Sequence, residues 1–146
     1  MESKRKGKLT TLKVVAPFAV YLPRVTMKDK RIPININWYR NAHRRVSNQV
    51  KKLYKEIVRS QLENKELQTP VEVVYQVTKP TRRRLDKMNV ISITSKFLLD
   101  AMSELGVWED DNDNFVKKET ILPTIYEKGV EKVVVTFKTI RKRKGD

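Results

Sequence analysis

Between residues 41 and 105 the hydrophobic period of this chain is first helical, then extended, then helical again. That alternation confines it to folds in which helices pack on a sheet. From Asn41 to Asn64, Val46, Val50, Leu53, Ile57 and Leu62, with Tyr54 and Val58 beside them, recur at helical spacing, while Lys51, Lys52, Lys55 and Arg59 take the outside. "VEVVYQVT" (Val71 to Thr78) is β-branched, short and closed by Pro80, the strongest strand of the chain. A second helix is expected from about Asn89 to Leu105, with Gly106 as its C′ residue. Ahead of these, "TTLKVVAPFAVYL" and "KRIPININ" read as strands whose prolines favour edge or bulged positions. Behind them, "FVKKETILPTIY" and "VEKVVVTFKTI" flank "EKG" as a hairpin. The expected fold is α+β, a small mixed sheet with two main helices packed on it. One domain spans 10–140, between a basic flexible N-terminus (1–9) and a basic C-terminal tail (141–146).

The chain has no cysteine, which excludes disulfides and thiolate zinc sites and is compatible with a reducing cytoplasm, the expected location. No apolar run approaches the roughly 20 residues of a membrane helix, and "MESKRKGK" lacks the apolar core of a signal peptide. Lys+Arg number 32 against Asp+Glu 17, a formal net charge of +15, and this excess points to a polyanionic partner, most simply nucleic acid. Anionic lipid is the weaker alternative, since no strongly amphipathic basic helix with exposed aromatics stands out. Charge alone does not separate an enzyme from a packaging protein.

Against that background "VWEDDNDNF" (Val107 to Phe115) gathers four acidic side chains in nine residues. On a helical wheel of the second helix, Asn89, Ile93, Lys96 and Asp100 fall within an arc of about 60°, with Asp86 nearby if the first turn extends back to it. Val90, Phe97, Leu98, Ala101 and Leu105 take the core-facing arc. Lys96 and Asp100 are then an i,i+4 pair on a polar face, which by itself describes a solvated surface of small energetic value. Carboxylates nevertheless converge from three segments: Asp86 before the helix, Asp100 on it, and Asp110 and Asp111 after it. An oxygen-only set of this kind suits Mg²⁺, with Mn²⁺ the plausible substitute. A calcium loop starting at Asp110 fits poorly, because Phe115 stands where the turn glycine belongs and Ile121 where the bidentate acid belongs.

"DKMN", followed by "KFLLDAMSELGVWEDDND", resembles the signature of the RusA-type Holliday junction resolvases: D-x-D-N, then K-x-x-x-D-A-L, then G-x-x-x-D-D. Lys96, Asp100, Ala101, Gly106, Asp110 and Asp111 occupy the family positions without a gap. "NWYRN" ahead of the first helix is similar to a DNA-facing loop of the family, in which an aromatic follows an asparagine. Two features depart from the pattern. Met88 stands at the family's second aspartate, leaving as alternatives one metal ion fewer, a substitute ligand such as Asn89 or Asp100, or lost activity. Lys96 lies four residues further from Asn89 than usual, about one helical turn, which returns it to the same face.

The resemblance implies a homodimeric, Mg²⁺-dependent endodeoxyribonuclease that makes paired cuts in four-way DNA junctions, in a family often carried by bacteriophages. Asp86, Lys96 and Asp111 would be catalytic. Asp86, Asp100, Asp110 and Asp111 would hold metal, and the expected partners are branched DNA and a second copy, with no membrane and no small-molecule cofactor. Arg82, Arg83, Arg84, Asn89, Arg40, Arg44 and Arg45 are the candidate nucleic-acid contacts, each weighed against a merely solvated basic face. Trp38 and Tyr39 could stack on bases but more often such aromatics belong to a core or interface, and His43 has no evident chemical partner. A non-catalytic nucleic-acid-binding protein of the same fold, and a general packaging protein, are the alternatives.

Overall fold

The computed structural model describes residues 8–108 and 115–140. Their elements in chain order are β1 (Thr11–Pro17), β2 (Ala19–Leu22), β3 (Lys30–Pro33), α1 (Ile36–Asn41), α2 (Arg44–Leu62), β4 (Val71–Lys79), α3 (Lys87–Glu104), β5 (Val116–Ile121), β6 (Ile125–Tyr126) and β7 (Lys132–Thr139). The class is the expected one, mixed α+β. Among the described residues no helix is long and apolar enough to cross a membrane.

Strict alternation along β4 turns Val71, Val73, Tyr75 and Val77 to one face, where all four are fully buried. The same period buries Leu12, Val14 and Ala16 of β1 and Val133, Val135 and Phe137 of β7. These strands form the main sheet in the order β1-β7-β4-β5, with β6 also paired to β4. β7 runs antiparallel to both β1 and β4, whereas β5 and β6 run parallel to β4. The hairpin expected around "EKG" is therefore absent. Its two strands lie on opposite sides of β4, and the turn is tied to the end of β4 by Glu127 N–H donating to the Lys79 carbonyl and Gly129 N–H to that of Pro80, each at 3.1 Å. A hairpin would leave the most apolar strand at an edge. Inserting β4 pairs both of its edges, and the α3 crossover supplies the parallel partner.

The first expected strand likewise splits at Phe18, since β2 pairs only with β3 in a separate two-stranded ribbon. β1 is left as an edge, and α2 covers part of it. The Gln61 carboxamide accepts from Val15 N–H at 2.8 Å and donates to the Val15 carbonyl at 2.9 Å, replacing a missing neighbour strand.

The first expected helix, from Asn41 to Asn64, is α2, and a short helix that was not expected, α1, precedes it, taking in Ile36 and Asn37 from the end of an expected strand. Asn35 caps α1 by accepting from Trp38 N–H, Ala42 is extended, and His43 opens α2. α3 begins at its N-cap Asp86 and ends in a Schellman motif: Gly106, at φ +75°, donates to Ser103 and Val107 donates to Met102. The C′ role expected of Gly106 is the one it has. The wheel of α3 needs correction, because Ile93, placed on the polar arc, is buried, and so are Ile91, Thr94, Leu99 and Met102. α3 is covered on more than one side, with β4 against one flank and α1 and α2 against others. A single amphipathic stripe does not describe such a helix. Phe97 is its central core residue, with the rings of Trp38, Tyr39 and Tyr54 edge-on at 6.4, 6.0 and 5.6 Å.

Candidate functional site

The connection from β4 to α3 carries Arg82, Arg83 and Arg84, all exposed. It is braced from both sides. Lys79 Nζ donates to the Arg83 carbonyl at 3.1 Å, and the Arg82 guanidinium sits 4.6 Å above the Tyr126 ring. Leu85 packs against the core and delivers the chain to Asp86. There the carboxylate does helical work: Oδ1 accepts from Met88 N–H at 3.1 Å, and the Asp86 carbonyl accepts from Asn89 N–H at 3.1 Å. Oδ2 of the same exposed carboxylate makes no bond to the described residues. Met88 is half exposed, so the aspartate position of the resembled family is filled here by an apolar side chain facing solvent.

Lys96 and Asp100 do not pair with each other. Asp100 Oδ2 lies 2.7 Å from Lys51 Nζ on α2, and four residues on, Lys55 Nζ lies 2.8 Å from Glu104 Oε2. The hydrogen bond that Lys51 donates to Asp100 raises the Lys51 pKa above its ordinary value. Lys96 instead points at Tyr39, with Nζ 5.8 Å from the ring centroid. The correction has a simple cause: a wheel of one helix cannot show that α2 brings its own cations to the same carboxylates. Lys51 was legible only as an outward residue of α2, and nothing in the spacing marked it as a partner.

The candidate ligands are spread along α3. At 1.5 Å per residue, Asp86 stands about 15 Å from Lys96 and about 21 Å from Asp100 along the axis. Asp110 and Asp111 lie outside the described residues. Their flank is anchored, because Val107 N–H donates to the Met102 carbonyl and Trp108 Nε1 to Ser103 Oγ, both at 2.9 Å. That anchor is about 24 Å from Asp86 along the helix. Among the described residues no group of three His, Cys, Asp or Glu side chains is placed to hold a metal ion. Asp86 and Asp100 of one chain therefore do not share one, and Asp100 already has an ammonium partner.

Arg40 sits in the last turn of α1, and Arg44 and Arg45 occupy the first turn of α2. All are exposed, and no carboxylate among the described residues pairs with them or with Arg82, Arg83 and Arg84. The contrast with the rest of α2, where Lys51, Lys55 and Arg59 are each paired, is sharp. Cations in the first turn of a helix oppose its dipole by about 0.3–1 kcal/mol, so Arg44 and Arg45 are not there for helix stability. Trp38 and Tyr39 are half buried and packed on Phe97, which is the core role. His43 proves to be the N-cap of α2, its Nδ1 accepting from Arg45 N–H at 3.1 Å. The ribbon of β2 and β3 stands against the α1–α2 corner and brings Arg24 and Lys30 close to Asn37 and Asn41. Asn37 and Asn41 belong to the "NWYRN" stretch, whereas Arg24 and Lys30 carry no motif signal.

No protein-family model matches the chain, and no curated protein matches it at a significant level.

Proposed function

We propose that the protein is a structure-selective, Mg²⁺-dependent endodeoxyribonuclease of the RusA type, acting as a homodimer on four-way DNA junctions by paired phosphodiester hydrolysis. The observation that carries the nucleic-acid part is the division of its cations. Arg40, Arg44, Arg45, Arg82, Arg83 and Arg84 stand exposed without carboxylate partners among the described residues, while Lys51, Lys55 and Arg59 further along α2 are paired with Asp100, Glu104 and Glu56. Unpaired guanidiniums on braced loops and helix ends can make bidentate contacts to phosphates with little loss of existing interactions. The hydrolytic part rests on the resemblance of residues 82–111 to the family signature.

In this reading the free Oδ2 of Asp86 and the carboxylates of Asp110 and Asp111 hold the metal, which when bound activates a water and neutralises the scissile phosphate. Asn89 and the arginine connection orient the strand beside Asp86. Lys96, held over Tyr39 with no carboxylate partner among the described residues, offers its charge to a phosphate. The length of α3 favours a site drawn from two copies over one drawn from a single chain, with Asp86 of one copy meeting the acidic segment of the other. A two-fold dimer then presents two such sites to a junction of approximately two-fold symmetry.

The test is a denaturing gel of end-labelled four-way junction and matched linear duplex, with Mg²⁺ or EDTA, for wild type and Asp111→Asn. Symmetric nicks near the branch point that require Mg²⁺ and vanish in the variant are expected. The ion pair of Asp100 with Lys51 and the exposed Met88 favour a second reading, a junction-binding protein without a complete metal site. Tight junction binding with no cut in Mg²⁺ or Mn²⁺ would select it.

A further inference from the structure

Across α1 from Lys96, the β2–β3 ribbon and the α1–α2 corner enclose an open cleft of about 620 Å³. That volume is within the range of sites that hold one small molecule or one nucleotide. Its polar lining is Arg24, Lys30, Asn37, Asn41 and His43, together with the edge of Trp38, and no Asp or Glu lines it. Apolar atoms of Ile32, Pro33 and Val46 make up much of the remaining wall.

The hydrogen-bonding capacity of these groups is largely unspent. Asn37 makes no side-chain bond to the described residues. Asn41 Nδ2 donates to the Asn37 carbonyl at 2.9 Å, which leaves its carboxamide oxygen as an acceptor. Arg24 is aimed by Nε, which donates to the Lys28 carbonyl at 2.8 Å, and both terminal nitrogens stay available. Lys30 has no carboxylate partner among the described residues. His43 Nδ1 accepts from Arg45 N–H, so in the neutral ring the proton is on Nε2, a donor. Trp38 is held rigidly by its edge-on contact with Phe97.

We propose that this cleft receives one unpaired nucleotide of a nucleic-acid strand. The phosphate meets Arg24 and Lys30, the ring lies on the apolar wall, and the base edge meets the donor and acceptor atoms of Asn37 and the acceptor of Asn41. An uncharged ligand would leave two cations unanswered, and a simple inorganic anion would leave the apolar wall uncovered. A cleft of about 620 Å³ has room for one nucleotide, so the occupant is a base out of the stack, as at a branch point. The inference rests on the nucleic-acid reading above, but it concerns a place distinct from Asp86 and the acidic segment.

The test uses the full chain in EDTA at low salt. A short single-stranded oligonucleotide carrying 2-aminopurine, and a duplex of the same length, are titrated against wild type, Asn37→Ala/Asn41→Ala and Arg24→Gln/Lys30→Gln. Each double variant is expected to weaken single-strand binding by about tenfold, the loss of one or two good contacts, and duplex binding by less than about twofold. Photo-cross-linking of a 5-iodouracil oligonucleotide to wild type is expected to label Trp38 and needs no variant. Single-strand affinity within twofold of wild type in both variants, or a cross-link confined to other residues, overturns the cleft proposal alone if junctions are still bound. Failure of wild type to bind any nucleic acid overturns the functional reading as well.

Discussion

Mixing two inactive variants should restore cutting if the carboxylates of one metal site come from two copies of the chain. Asp86→Asn and Asp111→Asn are the pair to use. Asparagine at 86 still accepts from Met88 N–H and keeps the α3 cap, whereas alanine there would cost about 1 kcal/mol and confuse folding with chemistry. Two carboxylate oxygens on one Mg²⁺ lie about 2.1 Å from the ion, hence within about 4 Å of each other. α3 puts about 24 Å between Asp86 and the anchored flank of the acidic segment, far beyond that spacing. In a mixed dimer one site carries both substitutions and the other carries neither. After random exchange of subunits about half the dimers are mixed, so about a quarter of the wild-type number of intact sites returns. Each mixed dimer has one working site, so the product is a nicked junction and not a pair of resolved duplexes. The assay is initial nicking of labelled junction by each variant alone and by the co-refolded mixture. A mixture no more active than its components would refute the argument from helix length and put the carboxylates of a site in one chain. Wild-type activity in either variant alone would remove that carboxylate from the site altogether.

Four further outcomes concern the scaffold. Burial pushes the phenols of Tyr54 and Tyr75 well above their ordinary value of 10.0, so above about pH 10 the unfolded chain releases protons that the folded chain retains. Stability complete below that pH should fall by about 1.4 kcal/mol per pH unit per tyrosine as pH rises, and Tyr54→Phe should remove one of the two contributions in urea titrations at pH 9 and 11. At neutral pH the same substitution should be nearly neutral, because Tyr54 Oη is buried with no hydrogen-bond partner among the described residues. Gly106→Ala meets no atom within 4 Å, so its cost is the left-handed backbone alone, about 1–2 kcal/mol in the urea midpoint with an unchanged slope. Phe97→Ala, which empties the centre of three edge-on aromatic contacts, should cost about 3–5 kcal/mol by the same measurement.

The elements of this protein were legible in its local chemistry, and so was their class. Alternating valines announced β4, the periodic run of Val46, Val50, Leu53, Ile57 and Leu62, with Tyr54 and Val58 beside it, announced α2 although Ile57 is exposed, and Gly106 marked the end of α3. Each of these is set by residues within a turn or a strand of one another, which is why one chain read alone suffices. Short interruptions were less visible. Phe18 carries no strong breaker signal of its own, so β1 merged with β2, and α1 is too short to show a helical period, so its first residues read as the end of a strand.

Which strand pairs with which, and which cation meets which acid, only the tertiary structure decided. β5 and β7 look like neighbours because a turn separates them, but the gain from pairing both edges of β4 outweighs proximity along the chain. Asp100 and Lys96 look like partners because they are one turn apart, but Lys51 arrives from α2, and the ring of Tyr39 lies beneath Lys96. The sequence by itself determined that this basic chain folds as helices on a sheet and carries the residues of a candidate phosphodiester site. Packing determined their spacing: along α3, Asp86 stands about 21 Å from Asp100. Local periodicity sets elements because it acts over a few residues, whereas distances between sites depend on contacts that no local pattern encodes.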